Sequence, residues 1–398
     1  MSRQDRWLLP EGIEELLPLE AEQLEALRRK LLDLFRSWGY ELVMPPLVEY
    51  IESLLTGTSN DLDLKTFKIT DQLTGRLMGV RADMTPQAAR IDAHRLKRTT
   101  PVRLCYLGTV LHTLPDGFAR SRNPLQVGAE LYGHEGIESD LEVLILMLET
   151  LTTAGVTGIC LDLGHVGIYR GLVREANLKQ EQEKTLFDAL QRKAGSEIEE
   201  LLSSFTLTKT YRQRFALLAE LNGGAEVLED GRSVLRGASA ETLNALEGLC
   251  NLAQAVQRRL PETSLHFDLA ELRGYHYHTG AVFAAYVAGH GQAVAQGGRY
   301  DDIGAVFGRA RPATGFSADL KTLVNLSSAK AATTPGAIFA PWVEDAALEA
   351  VIRSLRTQGE RVLCALPGQE GGAREMGCER ELELTQGSWV VTRRKGAG

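Results

Sequence analysis

The N-terminal part of the chain carries a helical pattern of hydrophobic residues, followed by a strand-like pattern. In residues 18–37 the apolar positions recur at helical spacing, with Glu and Arg between them, and are Leu24, Leu27, Leu31 and Leu34. This spacing predicts an amphipathic helix that ends at Gly39. Residues 40–44 predict a short strand, which ends at Pro45 and Pro46 because proline cannot continue a hydrogen-bonded ladder.

Further stretches rich in β-branched and aromatic residues predict the strands of a sheet. In chain order they are a hairpin of residues 66–69 and 76–80, then residues 102–110, 125–133, 158–163 and 264–268. Residues 140–154 are apolar after an acidic start and predict a helix. Residues 166–260 are rich in Leu, Glu, Ala and Lys, which predicts an almost entirely helical segment.

One stretch combines strand and turn signals with many chemically useful side chains. Residues 273–283 read R-G-Y-H-Y-H-T-G-A-V-F, and residues 297–301 read G-G-R-Y-D. The alternation predicts a strand over residues 275–287, a turn at 289–291 and a return strand over 292–296. The two adjacent glycines of the second motif allow the backbone to approach a ligand or a neighbouring strand closely. Arg299 and Asp301 place charge at the same point.

The last part of the chain predicts a small α/β unit. Residues 312–323 predict a strand that runs into a helix, and residues 327–334 are small and polar, as linkers are. Beyond them, strands are predicted at residues 337–340 and 361–365, a helix at 346–358 and weaker strands in 379–391. We therefore expect a core over residues 1–326 with its helical segment at about 166–260, a linker over 327–336 and a C-terminal domain over 337–398.

Length and composition are those of a globular protein with more than one domain. The 398 residues are 44% hydrophobic and 24% charged, which provides ample core. No run of about 18 apolar residues predicts a membrane span, and the N-terminal segment lacks the apolar core of a signal peptide. Five scattered cysteines without a C-x-x-C pair favour reduced thiols and a cytoplasmic location. The formal charge of -8 does not favour a nucleic-acid partner.

The two motifs at Arg273 and Gly297 resemble the histidine-binding core of histidyl-tRNA synthetases, which carry R-G-L-D-Y-Y and G-G-R-Y-D. The family's Asp falls on His276 and its second Tyr on His278. The resemblance implies an α+β, class II synthetase-like fold: a mostly antiparallel sheet flanked by helices, a helical insertion, and a small α/β C-terminal domain similar to a shortened anticodon-binding domain. The opening helix, strand and proline pair are similar to the family's dimerisation element.

Two more segments match the amino-acid side of the synthetase site. Residues 81–85, R-A-D-M-T, correspond to the family's R-P-E-G-T, whose acid and threonine hold the amino group of histidine. Residues 126–130, Q-V-G-A-E, correspond to a strand whose Gln and Glu line the pocket, and these two positions share one strand face. The resemblance implies a histidine site formed by Asp83, Thr85, Gln126, Glu130, Arg273, Tyr277 and His278. Carboxylates suit an ammonium group or an imidazole N–H, and Arg273 suits a carboxylate.

Several of these positions also have a simpler interpretation. Thr85 before a proline is typical of a helix N-cap alone, and a Gln and a Glu on one strand face are typical of a solvated surface. His276 and His278, two residues apart on a predicted strand, are candidates for a metal pair with His266 or His290 as a further ligand. The alternative is that both imidazoles line the pocket. We expect neither a metal nor a cofactor.

The nucleotide side of the synthetase site has lost its charged residues. The family's F-R-x-E falls on residues 110–113, which carry no guanidinium, and its adenine-stacking aromatic falls on Pro124. Its final G-x-E-R falls on residues 319–322, with Asp319 at the glycine and Thr322 at the arginine. Arg120 and Arg122 remain in the intervening loop. Because losing one charge-stabilising donor costs about 3 kcal/mol of barrier, we expect no ATP chemistry here.

A synthetase-like core without ATP motifs resembles the regulatory subunits of ATP phosphoribosyltransferase, over residues 8–325 or so. The resemblance implies a non-catalytic, dimer-forming chain that assembles with a short-form catalytic subunit. In that family the complex performs the first step of L-histidine biosynthesis and is inhibited by histidine. Two alternatives stay open: an active histidyl-tRNA synthetase, and a free-standing amino-acid sensor with another partner. We expect neither nucleic acid nor membrane as a partner.

Overall fold

The computed structural model describes residues 7–55, 60–115, 121–275, 277–328 and 336–393. It divides into two units, Met1–Ser328 and Ala329–Gly398. Some positions discussed above lie outside the described residues: loop residues 116–120, which include Arg120, as well as His276 and residues 329–335 of the predicted linker.

A nine-stranded sheet organises the first unit. The strands of this unit are β1 (Glu41–Leu42), β2 (Val48–Tyr50), β3 (Phe67–Thr70), β4 (Leu77–Val80), β5 (Val102–Thr109), β6 (Leu125–Tyr132), β7 (Ile159–His165), β8 (Asn222–Gly223), β9 (Ser264–Asp268), β10 (Ala281–Val287), β11 (Ala295–Arg299) and β12 (Ala313–Asp319). The order across the large sheet is β1-β5-β6-β12-β11-β10-β7-β9-β8, and β2-β4-β3 form a small separate sheet. Neighbours in the large sheet are antiparallel, except that β1 runs parallel to β5 and β7 to β9. The predicted mostly antiparallel sheet flanked by helices is confirmed.

Helices cover the sheet and fill the segment between β7 and β9. They are α1 (Pro18–Ser37), α2 (Ile51–Leu54), α3 (Asn60–Lys65), α4 (Thr85–Arg90), α5 (Ile137–Thr153), α6 (Val166–Glu175), α7 (Gln180–Gln191), α8 (Gly195–Ser204), α9 (Lys209–Leu218), α10 (Glu226–Val234), α11 (Ala240–Arg259) and α12 (Leu320–Leu326). A π-helical turn, Ile91–Leu96, continues α4. We call α6 to α11 the helical insertion.

The main core lies between the sheet, α1, α5 and the helical insertion. Three of the predicted apolar positions of α1 are buried, Leu24, Leu27 and Leu31, and Leu34 packs against the core from a partly buried position. Phe35 meets Phe316 of β12 edge to face, with ring centroids 6.2 Å apart. The predicted helix therefore exists with the predicted bounds and buries its apolar stripe against the sheet.

Successive side chains of β6 point to opposite faces of the sheet, and only one of these faces belongs to the main core. Val127, Ala129 and Leu131 belong to the main core. Gln126 and Glu130 fall between them in the strand and so face the other side. One strand thus presents apolar side chains to the helices and polar side chains to the site described below.

Two predicted strands, β10 and β11, begin three or more residues later than the alternation indicated. Strand β10 begins at Ala281 rather than Tyr275, because Gly274 adopts φ +64° and starts a turn. The carbonyl oxygen of Gly274 accepts backbone hydrogen bonds from Tyr277 and His278, both at 2.7 Å. Strand β11 likewise lies slightly beyond the predicted return strand. The conformation of Gly274, and not the strand propensity of the residues after it, therefore determines where β10 begins.

The second unit contains a four-stranded sheet and one long helix. The elements are β13 (Ile338–Ala340), α13 (Ala346–Thr357), β14 (Val362–Cys364), β15 (Arg380–Thr385) and β16 (Ser388–Arg393), and the sheet order is β14-β13-β15-β16. Strand β13 is parallel to both neighbours, and β15 and β16 are antiparallel. Leu348 and Ile352 of α13 pack on Ile338 and Val362 of the sheet. Among the described helices of the chain, none combines the length and the apolar character that crossing a membrane requires.

Candidate functional site

A cleft of about 840 Å³ is lined by residues of β6, β10, β11 and β12. All seven residues predicted to bind histidine line it: Asp83, Thr85, Gln126, Glu130, Arg273, Tyr277 and His278. They come from the start of α4, from β6 and from the turn before β10. The fold therefore brings the separate motifs of the sequence to one place.

Glu130 is the most deeply buried acid of the cleft, with 1% of its surface exposed. The Tyr106 hydroxyl donates to its Oε1 at 2.8 Å, and the Tyr300 hydroxyl donates to its Oε2. Burial raises the pKa of Glu130 to about 8, although both tyrosine hydrogen bonds favour the carboxylate. The carboxyl group is therefore largely protonated at neutral pH, and a cation or N–H donor beside it would favour its ionised form.

Strand β12 makes room for this carboxyl group by means of a glycine. Gly315 pairs with Glu130 across the sheet, and a Cβ atom at Gly315 would overlap Oε2 of Glu130. The absence of a side chain at this position is thus a steric requirement of the site.

Asp83, Thr85 and Gln126 form a connected polar wall at the start of α4. The Gln126 amide donates to Oδ1 of Asp83 at 2.7 Å and accepts from the backbone N–H of Met84 at 2.8 Å. Oδ1 of Asp83 also accepts from the backbone N–H of Thr85 at 3.0 Å. These contacts hold the Asp83 carboxylate and the Gln126 amide at the cleft surface, where they suit an ammonium group.

Thr85 is not the N-cap of α4, so the interpretation of this residue as only a cap is wrong. The helix begins at Thr85 itself, and Met84 occupies the cap position without a side-chain hydrogen bond. The Thr85 hydroxyl instead lies 2.9 Å from the Tyr106 hydroxyl. It thereby joins the Asp83 wall to the Glu130 network.

Aromatic rings form another wall of the cleft. Tyr277 stacks on Tyr300 with ring centroids 5.0 Å apart and meets His278 edge to face at 5.4 Å. Burial lowers the pKa of His278 to about 4, so its imidazole is neutral. The buried Tyr277 hydroxyl has no hydrogen-bond partner among the described residues. A buried hydroxyl in this state costs free energy unless a ligand or water satisfies it.

Arg273 lines the same cleft, and two neighbouring carboxylates already neutralise the charge of its guanidinium. Its guanidinium donates to Asp162 Oδ2 at 2.8 Å, to Glu271 and to the Tyr286 hydroxyl. Its side chain is thus held rigidly by two acids. A ligand carboxylate would have to share this guanidinium with Asp162 and Glu271.

The other half of the cleft contains the positions where the synthetase pattern is broken. Asp319 lines the cleft and caps α12, accepting from the backbone N–H groups of Lys321 and Thr322, each at 3.3 Å. It also accepts from the backbone N–H of Leu125 at 2.9 Å and so ties β6 to the start of α12. The carboxylate therefore has a structural role and places negative charge where a synthetase would bind phosphate.

The residues that stand in place of the synthetase's F-R-x-E segment form hydrogen bonds to main-chain atoms. His112 contacts the carbonyl oxygen of Ala82 at 2.9 Å, and Thr113 donates to that of Leu64 at 2.6 Å. Arg122 donates to the carbonyl oxygens of His112 and Glu11, at 3.0 and 3.1 Å. The sequence analysis named Arg122 as a cation that remains in this loop. Its guanidinium is instead bonded to main-chain carbonyl oxygens.

The charged residues of the G-G-R-Y-D motif are structural as well. Arg299 is buried and forms an ion pair with Asp140 of α5 at 3.0 Å, and it contacts Asp301 at 3.2 Å. Asp301 accepts in turn from the backbone N–H of Ala313 at 3.0 Å. These contacts fix α5 against β11 and β12.

The described residues contain no group of three or more His, Cys, Asp or Glu side chains that could hold a metal ion. His278 lies outside the strands, so the argument from alternate positions of a strand does not apply to it. His266 instead contacts Oδ1 of Asp162 at 2.8 Å.

Sequence reasoning missed three residues that shape the cleft. Tyr106 and Tyr300 bind Glu130, and Asp162 binds Arg273. Tyr300 belongs to the quoted G-G-R-Y-D motif and was available as a candidate. Tyr106 was detectable only by pairing β5 with β6 in the correct register, since Tyr106 lies opposite Gly128.

The sheet topology and the cleft on its face define a class II synthetase-like protein. The family model described as histidyl-tRNA synthetase matches residues 12–323. A second family model, described as the C-terminal domain of ATP phosphoribosyltransferase subunit HisZ, matches residues 335–392. A solved structure described as an ATP phosphoribosyltransferase regulatory subunit/histidyl-tRNA synthetase from Bacillus halodurans is 27% identical, with a TM-score of 0.82 over 93% of this chain and 95% of that one.

Curated relatives identify the branch of this class. The ATP phosphoribosyltransferase regulatory subunit of Thioalkalivibrio sulfidiphilus is 61% identical over 98% of this chain and 100% of the relative. A protein of the same name from Pseudomonas aeruginosa is 57% identical over 98% of this chain and 99% of the relative. The chain belongs to the family of ATP phosphoribosyltransferase regulatory subunits.

Proposed function

We propose that this chain is the non-catalytic regulatory subunit of an ATP phosphoribosyltransferase and takes part in the first step of L-histidine biosynthesis. Its partner is a short-form catalytic subunit, and its cleft takes L-histidine as the feedback ligand. The names of relatives at 57–61% identity support the regulatory role. The geometry of the cleft supports the ligand.

The observation that carries the proposal is the contrast between the two halves of the cleft. On one side, Asp83, Gln126 and Glu130 present acids and an amide to a ligand. On the other side, Asp319 and Thr322 stand where the synthetase pattern has a glycine and an arginine. Adenylate formation places extra negative charge on a phosphate, which needs fixed donors. A carboxylate in their place opposes that chemistry, so this site suits amino-acid binding without activation.

The residues of the first half match the groups of histidine one by one. The Asp83 carboxylate, with Thr85 and Gln126, suits the α-ammonium group, while Glu130 and the unsatisfied Tyr277 hydroxyl suit the imidazole. Arg273 suits the α-carboxylate. His278 stands where the synthetase pattern has a second tyrosine, so its neutral imidazole replaces a hydroxyl at this position.

We further propose that the chain forms a dimer with a second copy of itself. Apolar side chains follow the short edge strand β1, with Met44 79% exposed and Leu47 48% exposed. Leu17 and Leu19, at the start of α1, are also exposed. Exposed apolar side chains that follow an edge strand, as Met44 and Leu47 do, favour association with another surface.

Such a chain can regulate its partner if a ligand binds to two assembly states with different affinities. Histidine that binds one assembly state better than another shifts the equilibrium by the difference in affinity. The cleft needs no catalytic residues for this purpose, in keeping with the loss of the nucleotide half.

Three measurements on the purified chain test the proposal. Mixing with a short-form ATP phosphoribosyltransferase should give co-elution and activation, and failure of both would favour a sensor with another partner. Calorimetric titration with histidine, for the chain alone and in the complex, tests the ligand. Histidine-dependent ATP–pyrophosphate exchange should be absent, and clear exchange would identify an active synthetase instead.

A further inference from the structure

The turn that carries two ligand-facing residues of the cleft also forms the wall of a second cavity. We call the described residues 274, 275 and 277–279 the cleft loop. Tyr277 and His278 line the main cleft, whereas Tyr275 lines a cavity of about 360 Å³. The other residues of that cavity come from the helical insertion and are Arg170, Val173, Arg174 and Glu183. The loop therefore lies between the main cleft and this second cavity.

The end of the cleft loop is bonded to the end of β11 and to the start of α6. The backbone N–H of Thr279 donates to the carbonyl oxygen of Arg299 at 2.7 Å. The next residue, Gly280, accepts from the backbone N–H of Val166 at 3.1 Å. These bonds hold the point where the loop enters β10 and leave the preceding residues to be positioned by other contacts.

The middle of the cleft loop is held by one arginine of the helical insertion. Nη2 of Arg170 donates to the carbonyl oxygens of Tyr275 at 2.9 Å and of His278 at 3.0 Å. The same guanidinium lies over the Tyr275 ring, 4.9 Å from its centroid. One side chain of α6 thus bridges two backbone positions on either side of the turn that presents Tyr277 to the cleft.

Tyr275 adds a second link between the loop and the insertion. Its hydroxyl donates to Oε1 of Glu183 on α7 at 2.7 Å. Its ring packs against Tyr169 and Phe187, with centroid distances of 5.4 and 5.3 Å. The loop is therefore bound on its rear side to both α6 and α7.

We propose that Arg170 is the positioning residue of the cleft loop and that, through it, the helical insertion responds to occupancy of the cleft. A ligand that touches Tyr277 and His278 favours one position of the loop, and the hydrogen bonds of Arg170 to both carbonyl oxygens stabilise the position seen here. Ligand and insertion therefore bias the same element, which is the requirement for coupling between two sites. The inference rests on the proposed function only for the identity of the ligand.

The first test compares two arginines of the same helix in the full-length chain. Arg174 lines the same cavity but is bonded to Glu241 at 2.6 Å, so Arg174→Ala is the matched control for Arg170→Ala. Hydrogen exchange of the cleft loop in ligand-free protein should accelerate roughly 10-fold in Arg170→Ala, which loses charge-assisted hydrogen bonds, and should change less than about twofold in the control. Tyr275→Phe, which removes the hydroxyl that donates to Glu183 but leaves the backbone carbonyl bonds of Arg170 in place, should give a smaller acceleration. Equal effects of the two arginine substitutions would overturn the positioning role.

The second test measures the coupling. Saturating L-histidine should slow exchange in α6 and α7 of the wild-type chain and of Arg174→Ala. This protection should be clearly smaller in Arg170→Ala, which keeps the Tyr275 contacts with α6 and α7, while calorimetry shows roughly 10-fold weaker binding. Protection confined to the cleft loop in the wild-type chain would disprove the coupling. A wild-type chain that binds no histidine would refute the proposed ligand, and the ligand-free comparison would then decide the role of Arg170 alone.

Discussion

Glu130 is held by the hydroxyl groups of Tyr106 and Tyr300, which carry no charge. Asp83 is the charged group that acts on it, and this charge opposes ionisation. Such a carboxyl group is kept neutral by burial and becomes an anion only when a donor arrives. Protonation of Glu130 should therefore affect both the stability of the fold and the binding of a ligand, and each effect can be measured.

The first measurement is the pH dependence of stability. The folded-state pKa of Glu130, about 8, lies above its ordinary value of 4.5, so the folded chain binds the proton more tightly than the unfolded chain. Its contribution is complete below pH 4.5 and is lost as the pH rises through 8, with a slope of up to about 1.4 kcal/mol per pH unit. His165 and His278, whose pKa values fall to about 4, act in the opposite direction only up to about pH 6.5. Glu130→Gln should therefore flatten the loss of stability between pH 6.5 and 8.

Urea unfolding at several pH values in this window checks the prediction. The control is Glu181→Gln, at an exposed position of α7, which should leave the slope unchanged. The prediction is wrong if the wild-type chain and Glu130→Gln have the same slope.

The second measurement is proton release on histidine binding. A ligand N–H placed beside Glu130 favours the carboxylate, so binding at pH 7 should release close to one proton from a group with a pKa of about 8. Calorimetric binding enthalpies should then differ between phosphate and Tris in proportion to the ionisation enthalpies of these buffers. Binding heats that do not depend on the buffer would contradict this picture, and Glu130→Gln should abolish the dependence.

At the scale of elements, Asp319 joins β6, β12 and α12 through its carboxylate. Asp319→Ala removes the cap of α12 and the tie to Leu125, and we expect it to cost about 1–2 kcal/mol. Asp319→Asn keeps an oxygen that can cap, so its cost should be less than half as large. Denaturant unfolding of both variants measures this difference, and equal losses would show that the charge, and not the cap, stabilises the junction.

The elements also show how far the sequence could predict this molecule. Helix α1 followed from leucine spacing alone, because a surface helix must bury one stripe. Strand β10 was predicted too long because the φ of +64° at Gly274, which starts the turn, is not visible in an alternating pattern. The seven ligand candidates came from motif resemblance. The tyrosines around Glu130 depend on the strand register of β5, β6 and β12, which local sequence does not specify.

At the scale of the whole molecule, the candidate site belongs to one of the two units. Its seven residues, and the partners that orient them, lie between Asp83 and Tyr300, within Met1–Ser328. The cleft and the helical insertion, between which we propose coupling, thus both belong to the first unit. We propose that the second unit is a domain of its own, with a buried cluster that includes Ile338, Leu348 and Leu382.

A chain that ends at Ser328 should therefore fold and keep its ligand site. The main core, the sheet and all candidate ligand residues remain in such a fragment, so we expect cooperative thermal unfolding and a histidine affinity within about twofold of the full-length value, a difference of about 0.4 kcal/mol. Circular dichroism and calorimetric titration of both forms provide the measurement. If the full-length chain binds histidine and the folded fragment does not, the cleft depends on the second unit and the proposed domain boundary is misplaced. A fragment that binds histidine but fails to activate the catalytic subunit would assign contact with that partner to the residues after Ser328.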